Sequence, residues 1–140
     1  MCLVGCNTSS TVEDNNDIFS EAVKATSDDL ITLNELAAFE WDIAYTFTPN
    51  APKENTEKII GISSRYIKET YNESQTQLIF VKDGKIVCSI WGYGSNLGYW
   101  ISFYYYDNIG DYLAITPDDT VLFSVDRSGE EIVLRYISET

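Results

Sequence analysis

The chain has 140 residues, of which 44% are hydrophobic and 22% charged, a composition that fits one folded domain and argues against disorder of the whole chain. Its 22 Asp and Glu against nine Lys and Arg give a formal net charge of −13, which disfavours binding to nucleic acid and adsorption to anionic lipid heads. The absence of His removes Ser-His-Asp and Cys-His catalysis and the commonest metal ligand.

The first residues indicate a lipid anchor. Leu3-Val4-Gly5-Cys6 resembles the lipobox of bacterial lipoproteins, in which the Cys thiol is alkylated with diacylglycerol and becomes the first residue after cleavage. We therefore interpret residues 1–6 as the remnant of a lipoprotein signal, with lipidation at Cys6. A secretory signal also needs a basic and an apolar region, and only a short stub precedes Cys6. Export is therefore predicted on the condition that a signal peptide lies upstream, and the alternative is a cytoplasmic protein whose N-terminus matches by chance.

Residues 7–16 are predicted to form a flexible polar tether between the anchor and a single α+β domain over residues 17–140. The tether stretch is rich in Asn, Ser, Thr, Asp and Glu, a composition typical of linkers. If Cys6 is acylated and Cys2 leaves with the signal, Cys88 is the remaining cysteine, and no disulfide is required. Its strand-like surroundings predict a small buried side chain.

Helices are predicted early in the chain. Residues 17–26 place apolar side chains on one helical face, with Asp17 as a possible N-cap. Thr32 and Glu35 form a capping box that begins a short helix ending near residue 38.

A strand and a third helix follow. Residues 40–48 alternate between apolar and polar side chains, which predicts a half-buried strand. Pro52 fits the first turn of a helix over residues 53–60, and Gly61 fits its C-terminal end.

The second half of the chain predicts antiparallel strands. Residues 76–81 and 86–91 flank Asp83-Gly84, a pair that favours the type I′ turn of a β-hairpin. Further strands are predicted over residues 99–106, 119–125 and 131–137, and turns or bulges at Gly92, Gly94 and Gly98. The predicted fold is α+β, with an antiparallel sheet of about five to six strands and two or three short helices packed on one face.

Several segments resemble a set of small, largely uncharacterised lipoproteins of Gram-positive bacteria. The resemblance lies in the Phe-x-Trp-Asp strand over residues 39–49, the helix over residues 52–61, the hairpin over residues 78–87 and the stretch over residues 116–125. It covers about residues 33–137, except for the middle of the chain from Gly92 to Asp111. The resemblance implies export and lipidation, and it implies no activity.

Aromatic residues in the second half suggest a surface for a ligand or partner. The candidates are Trp91, Tyr93, Trp100, Tyr104 and Tyr106. Tyr and Trp are favoured at interfaces, and stacked rings suit a glycan or a peptide. The alternative is that these rings pack in the core and across strands.

Acidic residues give less specific evidence for a metal site or a catalytic site. Asp107 and Asp111 offer oxygen ligands for Ca²⁺, but the spacing lacks the EF-hand pattern and equally fits turn chemistry, so no metal or cofactor is predicted. Carboxylates such as Asp42 are plentiful, but no spacing singles out a catalytic pair, and we predict no catalytic residue.

The sequence thus favours a lipid-anchored lipoprotein on the extracytoplasmic face of the cell membrane, with a non-catalytic binding domain for an unknown protein, peptide or glycan. The acyl chains would be its only attachment to the membrane. The alternative is an acidic immunity or inhibitor protein that neutralises a basic toxin or enzyme by charge complementarity. A carboxylate-based hydrolase that uses Asp42 and Asp111 is the third hypothesis.

Overall fold

The computed structural model describes residues 4–47, 50–71, 75–103 and 112–137, with side chains described from residue 11 onward. Four helices and eight strands occur within these residues. In chain order they are α1 (Val4–Ala25), β1 (Leu30–Thr32), α2 (Leu33–Leu36), β2 (Ile43–Phe47), α3 (Lys53–Ile60), β3 (Gln75–Lys82), β4 (Lys85–Tyr93), α4 (Gly94–Leu97), β5 (Tyr99–Ser102), β6 (Tyr112–Ile115), β7 (Leu122–Asp126) and β8 (Ile132–Ile137).

The described strands form two sheets. Sheet 1 has the order β1-β7-β8-β5 and sheet 2 the order β4-β3-β2-β6. Neighbouring strands are antiparallel except for β5 and β8, which are parallel. The α+β class is confirmed, but the strands divide into two four-stranded sheets, whereas the sequence predicts one sheet of five to six. The two unpredicted strands, β1 and β6, have only three and four residues, too few for a clear alternation of burial.

The main hydrophobic core lies between the inner faces of the two sheets. The ring of Phe80 lies near its centre, with the rings of Phe19, Phe39 and Trp41 at centroid distances of 5.9, 5.3 and 5.1 Å. Cys88 is fully buried in this core, as predicted. Burial raises the pKa of its thiol far above the ordinary value, which keeps the thiol neutral and a poor nucleophile.

A second, smaller core lies on the outer face of sheet 2. Its buried members are Val12, Ile67, Ile79, Val81 and Ile86. Val12 comes from α1 and Ile67 from the segment between α3 and β3, so these two parts of the chain pack against the outer face of this sheet.

Helix α1 corrects the predicted N-terminal organisation. It is one helix of 22 residues, whereas the sequence predicts a flexible tether over residues 7–16 and a helix that begins at Asp17. Val12 is fully buried, so the tether prediction is wrong from this residue onward. Polar composition is misleading here because two Asn side chains of this stretch hydrogen-bond to the sheet.

These Asn side chains cover the edge of sheet 2. The Asn15 side-chain amide donates to the Val87 carbonyl at 2.9 Å, and the Asn16 side-chain oxygen accepts from the Ser89 amide at 2.8 Å. Strand β4 is an edge strand and carries a bulge in this region. Edge strands expose unpaired backbone groups, so the helix protects this edge from pairing with another chain.

The predicted helix boundaries hold in the middle of the chain. The Thr32 hydroxyl accepts from the Glu35 amide, and the Glu35 carboxylate accepts from the Thr32 amide at 3.0 Å, which confirms the capping box. Pro52 precedes α3, and Gly61 ends it in the left-handed conformation with φ of 82°.

The β3–β4 hairpin is also confirmed. Asp83 and Gly84 have φ of 51° and 75°, the positive values that a type I′ turn requires. The Asp42 carboxylate accepts from the Asp83 amide at 2.8 Å and from the Lys82 ammonium at 3.2 Å. These two bonds lower the pKa of Asp42, and they tie the start of β2 to the hairpin turn.

The later strands are shorter than predicted. β5 ends at Ser102, and the remainder of its predicted range from residue 104 onward lies outside the described residues. The second predicted hairpin is present as β7 and β8. Of the glycines predicted to form turns or bulges, Gly92 lies within β4. Gly94 begins the short helix α4, and Gly98 caps the C-terminal end of this helix.

Candidate binding surface

Residues 62–71, which we call the covering segment, lie on the outer face of sheet 2 and are held there by strand side chains. Ile67 is fully buried against the sheet. The Ser89 hydroxyl donates to the Tyr66 carbonyl at 2.8 Å. The Gln77 side chain accepts from the Lys68 amide and donates to the Lys68 carbonyl, both at 2.9 Å. Backbone groups of a segment without regular structure are thereby satisfied by side chains of the sheet.

Two more side chains hold the end of the covering segment. The Trp91 indole N–H donates to the Glu69 carbonyl at 3.1 Å, and the Gln75 side-chain oxygen accepts from the Tyr71 amide. Gln75 is almost fully buried. A buried amide is stable only when its polar atoms are paired, so these bonds both position the segment and satisfy the sheet.

An exposed group of aromatic rings lies beside this end of the covering segment. We define the aromatic patch as Tyr71, Trp91 and Tyr93, whose exposed fractions are 62%, 37% and 36%. Trp91 and Tyr93 lie two residues apart on the same side of β4, and their neighbour Gly92 is buried. Tyr71 joins them because its amide bonds to Gln75, the residue paired with Tyr93 across the hairpin.

Two charged side chains, Lys68 and Glu69, lie beside the aromatic patch. The Tyr71 hydroxyl donates to the Glu69 carboxylate at 3.3 Å. The Glu69 charge is the main cause that raises the pKa of Tyr71, with a smaller contribution from Tyr93. The Lys68 ammonium lies 6.0 Å from the Trp91 ring centroid, at the outer limit of a cation–π contact.

The structure brings together only some of the predicted surface residues. Trp91 and Tyr93 share one surface. Trp100 lies on β5 in sheet 1, on the side opposite the buried neighbours Tyr99 and Ile101, and is half-buried. Tyr104 and Tyr106 lie outside the described residues, as do Asp107 and Asp111. The backbone at Cys6 lies in α1, and its side chain is outside the described set.

Sequence reasoning missed Tyr71, the most exposed ring of the patch. Tyr71 follows no strand or helix periodicity, because side chains distant in the sequence position the covering segment. The nearest signal in the sequence is the pair Gln75 and Gln77, since two amides in a strand need polar partners.

A cleft of about 320 Å³ lies near the C-terminal end of β2. Its lining includes Phe47, Pro52 and Ile59. Phe47 also belongs to a row of three rings with Tyr45 and Tyr112, at centroid distances of 6.0 to 6.3 Å. These rings lie on the outer face of sheet 2, at its β6 side, whereas the aromatic patch lies at its β4 side.

Comparison with known proteins gives no relative for this chain: no protein-family model matches, and neither the curated proteins nor the solved structures include a significant match. No helix among the described residues is long and apolar enough to cross a membrane. The described residues also contain no group of at least three Cys, Asp or Glu side chains close enough together to hold a metal ion.

Proposed function

We propose that this chain is an exported lipoprotein, anchored to the extracytoplasmic face of the membrane through Cys6, whose domain binds a ligand without catalysis through the aromatic patch. The observation that carries the proposal is the patch itself. Three rings are exposed together, and the backbone of the covering segment is fixed by hydrogen bonds to strand side chains. Clustered exposed aromatic groups are typical of interaction sites, and a fixed backbone lowers the entropy lost on binding.

The lipobox-like Leu3–Cys6 and the resemblance to Gram-positive lipoproteins support the anchor. The tether in this proposal is short, because Val12 already packs in the domain. The path from Cys6 to Val12 is about 9 Å as a helix and about 20 Å fully extended. Acylation at Cys6 would therefore hold the domain close to the membrane surface.

The direction of α1 supports a patch that faces away from this anchor. Val12 belongs to the same small core as Ile86 near the start of β4, and Asn15 and Asn16 bond to Val87 and Ser89 further along the strand. Helix and strand therefore run in the same direction, and Tyr93 lies about 23 Å beyond Ile86 at the strand rise of about 3.3 Å per residue. A ligand outside the cell would reach the patch without competing with the lipid surface.

Lipidation is tested by expressing the gene from its full reading frame, with any upstream codons, in a Gram-positive host. The expected product is in the membrane fraction, lacks residues 1–5 and carries a diacylglyceryl mass on Cys6. The Cys6→Ser variant should lack this mass and leave the membrane fraction. A soluble, unmodified wild-type product that retains Met1 would contradict the anchor.

Binding by the aromatic patch is tested with the full-length Cys6→Ser chain on an array of oligosaccharides and peptides. Tyr71→Ala removes the most exposed ring, and Tyr112→Ala is the matched control because Tyr112 is 39% exposed on another strand of the same sheet. Ligands of the domain should bind more weakly to Tyr71→Ala than to the unsubstituted surface and equally well to Tyr112→Ala. Equal retention by both variants would show that the ligand binds elsewhere.

A second candidate is an acidic inhibitor or immunity protein, which the net charge of −13 favours. Such a protein would form a tight complex with a basic toxin or enzyme, and added salt would weaken this complex strongly. A complex that is insensitive to salt would argue against this candidate.

A further inference from the structure

The electrostatic environment of the aromatic patch narrows the chemistry of its ligand. The chain has 13 more acidic than basic residues, and its field therefore attracts cations. Within the described residues, the Glu69 carboxylate contacts the patch directly by accepting from the Tyr71 hydroxyl. The Lys68 ammonium lies over the Trp91 ring, so the face of Trp91 already has a cation beside it.

Tyr71 combines an exposed ring with a carboxylate. Its ring is 62% exposed, and its hydroxyl bonds to Glu69. Among the described residues, no Lys or Arg lies over this ring. An aromatic face beside a carboxylate suits a guanidinium group, because the ring attracts the planar cation and the carboxylate accepts its N–H groups.

The covering segment itself provides an example of this contact. The Arg65 guanidinium carbon lies 5.0 Å from the Tyr66 ring centroid, and an Arg65 N–H donates to the Tyr66 hydroxyl at 2.9 Å. Tyr71 differs in having a carboxylate in place of a cation at its hydroxyl.

We propose that the aromatic patch binds a basic polypeptide, with an Arg side chain of the partner stacked on Tyr71 and paired with Glu69. This inference rests on the proposed function, because it takes the aromatic patch as the binding surface. Arg is favoured over Lys because the planar guanidinium stacks on a ring while its N–H groups reach a carboxylate. A neutral glycan would use the rings and leave the surrounding negative charge without a role.

The experiment measures binding of three short Gly-Ser peptides of equal length, which carry Arg, Lys or Gln at the same positions. Calorimetry with the full-length Cys6→Ser chain at about 0.15 M salt screens charges beyond about 8 Å and reports mainly the local contacts. The Arg peptide should bind more tightly than the Lys peptide, and the Gln peptide should not bind measurably.

Variants separate the patch from the general negative charge. Tyr71→Ala should weaken Arg-peptide binding by about 2- to 5-fold, the range for an exposed cation–π contact. Glu69→Gln should weaken it by at least as much, since a charge-assisted hydrogen bond is also lost. Asp118→Asn is the control, because it removes the same charge from an exposed position away from the patch. Its neighbour Pro117 lines a cleft together with Lys82, at the β3–β4 turn. This variant should change the affinity by less than about 2-fold.

Four outcomes would overturn the inference. Equal losses for Glu69→Gln and Asp118→Asn would mean that the basic peptide binds the acidic surface diffusely. Equal binding of the Gln peptide would mean that the cation is not recognised. If an oligosaccharide on the array binds through Tyr71 and the Arg peptide does not bind, the basic partner is rejected and the proposed binding function is kept. If array binding is independent of Tyr71, the basic partner and the proposed binding surface are both rejected.

Discussion

Replacement of Gln77 by Ala tests whether strand side chains hold the covering segment. Gln77 is 3% exposed and makes two hydrogen bonds of 2.9 Å with the backbone of Lys68. Each of the two hydrogen bonds contributes about 0.5–1.5 kcal/mol net, and the space left by the buried Gln77 side chain adds to the loss. We therefore expect Gln77→Ala to lower the free energy of unfolding by about 2–4 kcal/mol. At this chain length the midpoint of thermal unfolding should fall by about 6–16 °C.

The assay combines urea unfolding with hydrogen exchange. Urea unfolding gives the change in stability, and Asn55→Ala is a suitable control because this exposed residue of α3 should change stability by no more than about 0.5 kcal/mol. Hydrogen exchange should show faster exchange at the Lys68 and Tyr71 amides. Because the covering segment presents Tyr71, Gln77→Ala should also lower the affinity of the aromatic patch for its ligands.

Two results would refute this reasoning. If Gln77→Ala is as stable as Asn55→Ala, the paired amide does not contribute as the geometry implies. If stability falls but exchange at Lys68 is unchanged, the loss arises inside the sheet, and the packing of Ile67 with the bonds from Ser89 and Trp91 holds the covering segment without Gln77.

Other perturbations test the remaining parts of the structure. Val12→Ala should lower the free energy of unfolding by about 1–3 kcal/mol in urea denaturation, because the side chain is fully buried. An unchanged free energy of unfolding would support the flexible tether that the sequence predicts. Asn16→Ala unpairs the Ser89 amide at the edge of sheet 2, so light scattering on heating should reveal earlier aggregation than in wild type, and identical onset temperatures would contradict edge protection. Hydrogen bonds from Ser128 are the main cause that lowers the pKa of Asp126 from 3.8 to about 2. Its folded pKa is depressed, so its contribution to stability is present above pH 3.8 and is lost as the pH falls towards 2. Urea denaturation across this interval should show a smaller pH dependence for Asp126→Asn, and an unchanged dependence would exclude this carboxylate as a source.

The sequence predicts the local elements well where one short segment determines the geometry. The capping box of Thr32 and Glu35 and the turn at Asp83 and Gly84 involve residues at most three positions apart, so composition and spacing suffice. The division into two sheets depends on pairings between distant segments, such as β1 with β7, which no local pattern encodes.

The candidate surface could be predicted only in part for the same reason. The sequence names Trp91 and Tyr93 as candidates but predicts a strand that ends at Trp91 and a turn or bulge at Gly92. In the structure β4 continues to Tyr93, and this continuation places both rings on one side of the strand. The addition of Tyr71 depends on Gln75, Gln77 and Ser89, which bond to the backbone of the covering segment. Trp100 lies on a different sheet, which linear proximity to the other rings could not reveal.

The most direct test of the central claim is to map ligand binding on the backbone amides by NMR. The isotope-labelled Cys6→Ser chain is titrated with the tightest ligand from the array and, separately, with the Arg peptide. The account predicts that shift changes concentrate at residues 68–71 and 91–93, and that Tyr71→Ala requires about 2- to 5-fold more Arg peptide to reach the same change. Shift changes centred on Phe47 and Tyr112, or on the outer face of sheet 1, would contradict the assignment of the aromatic patch as the binding surface.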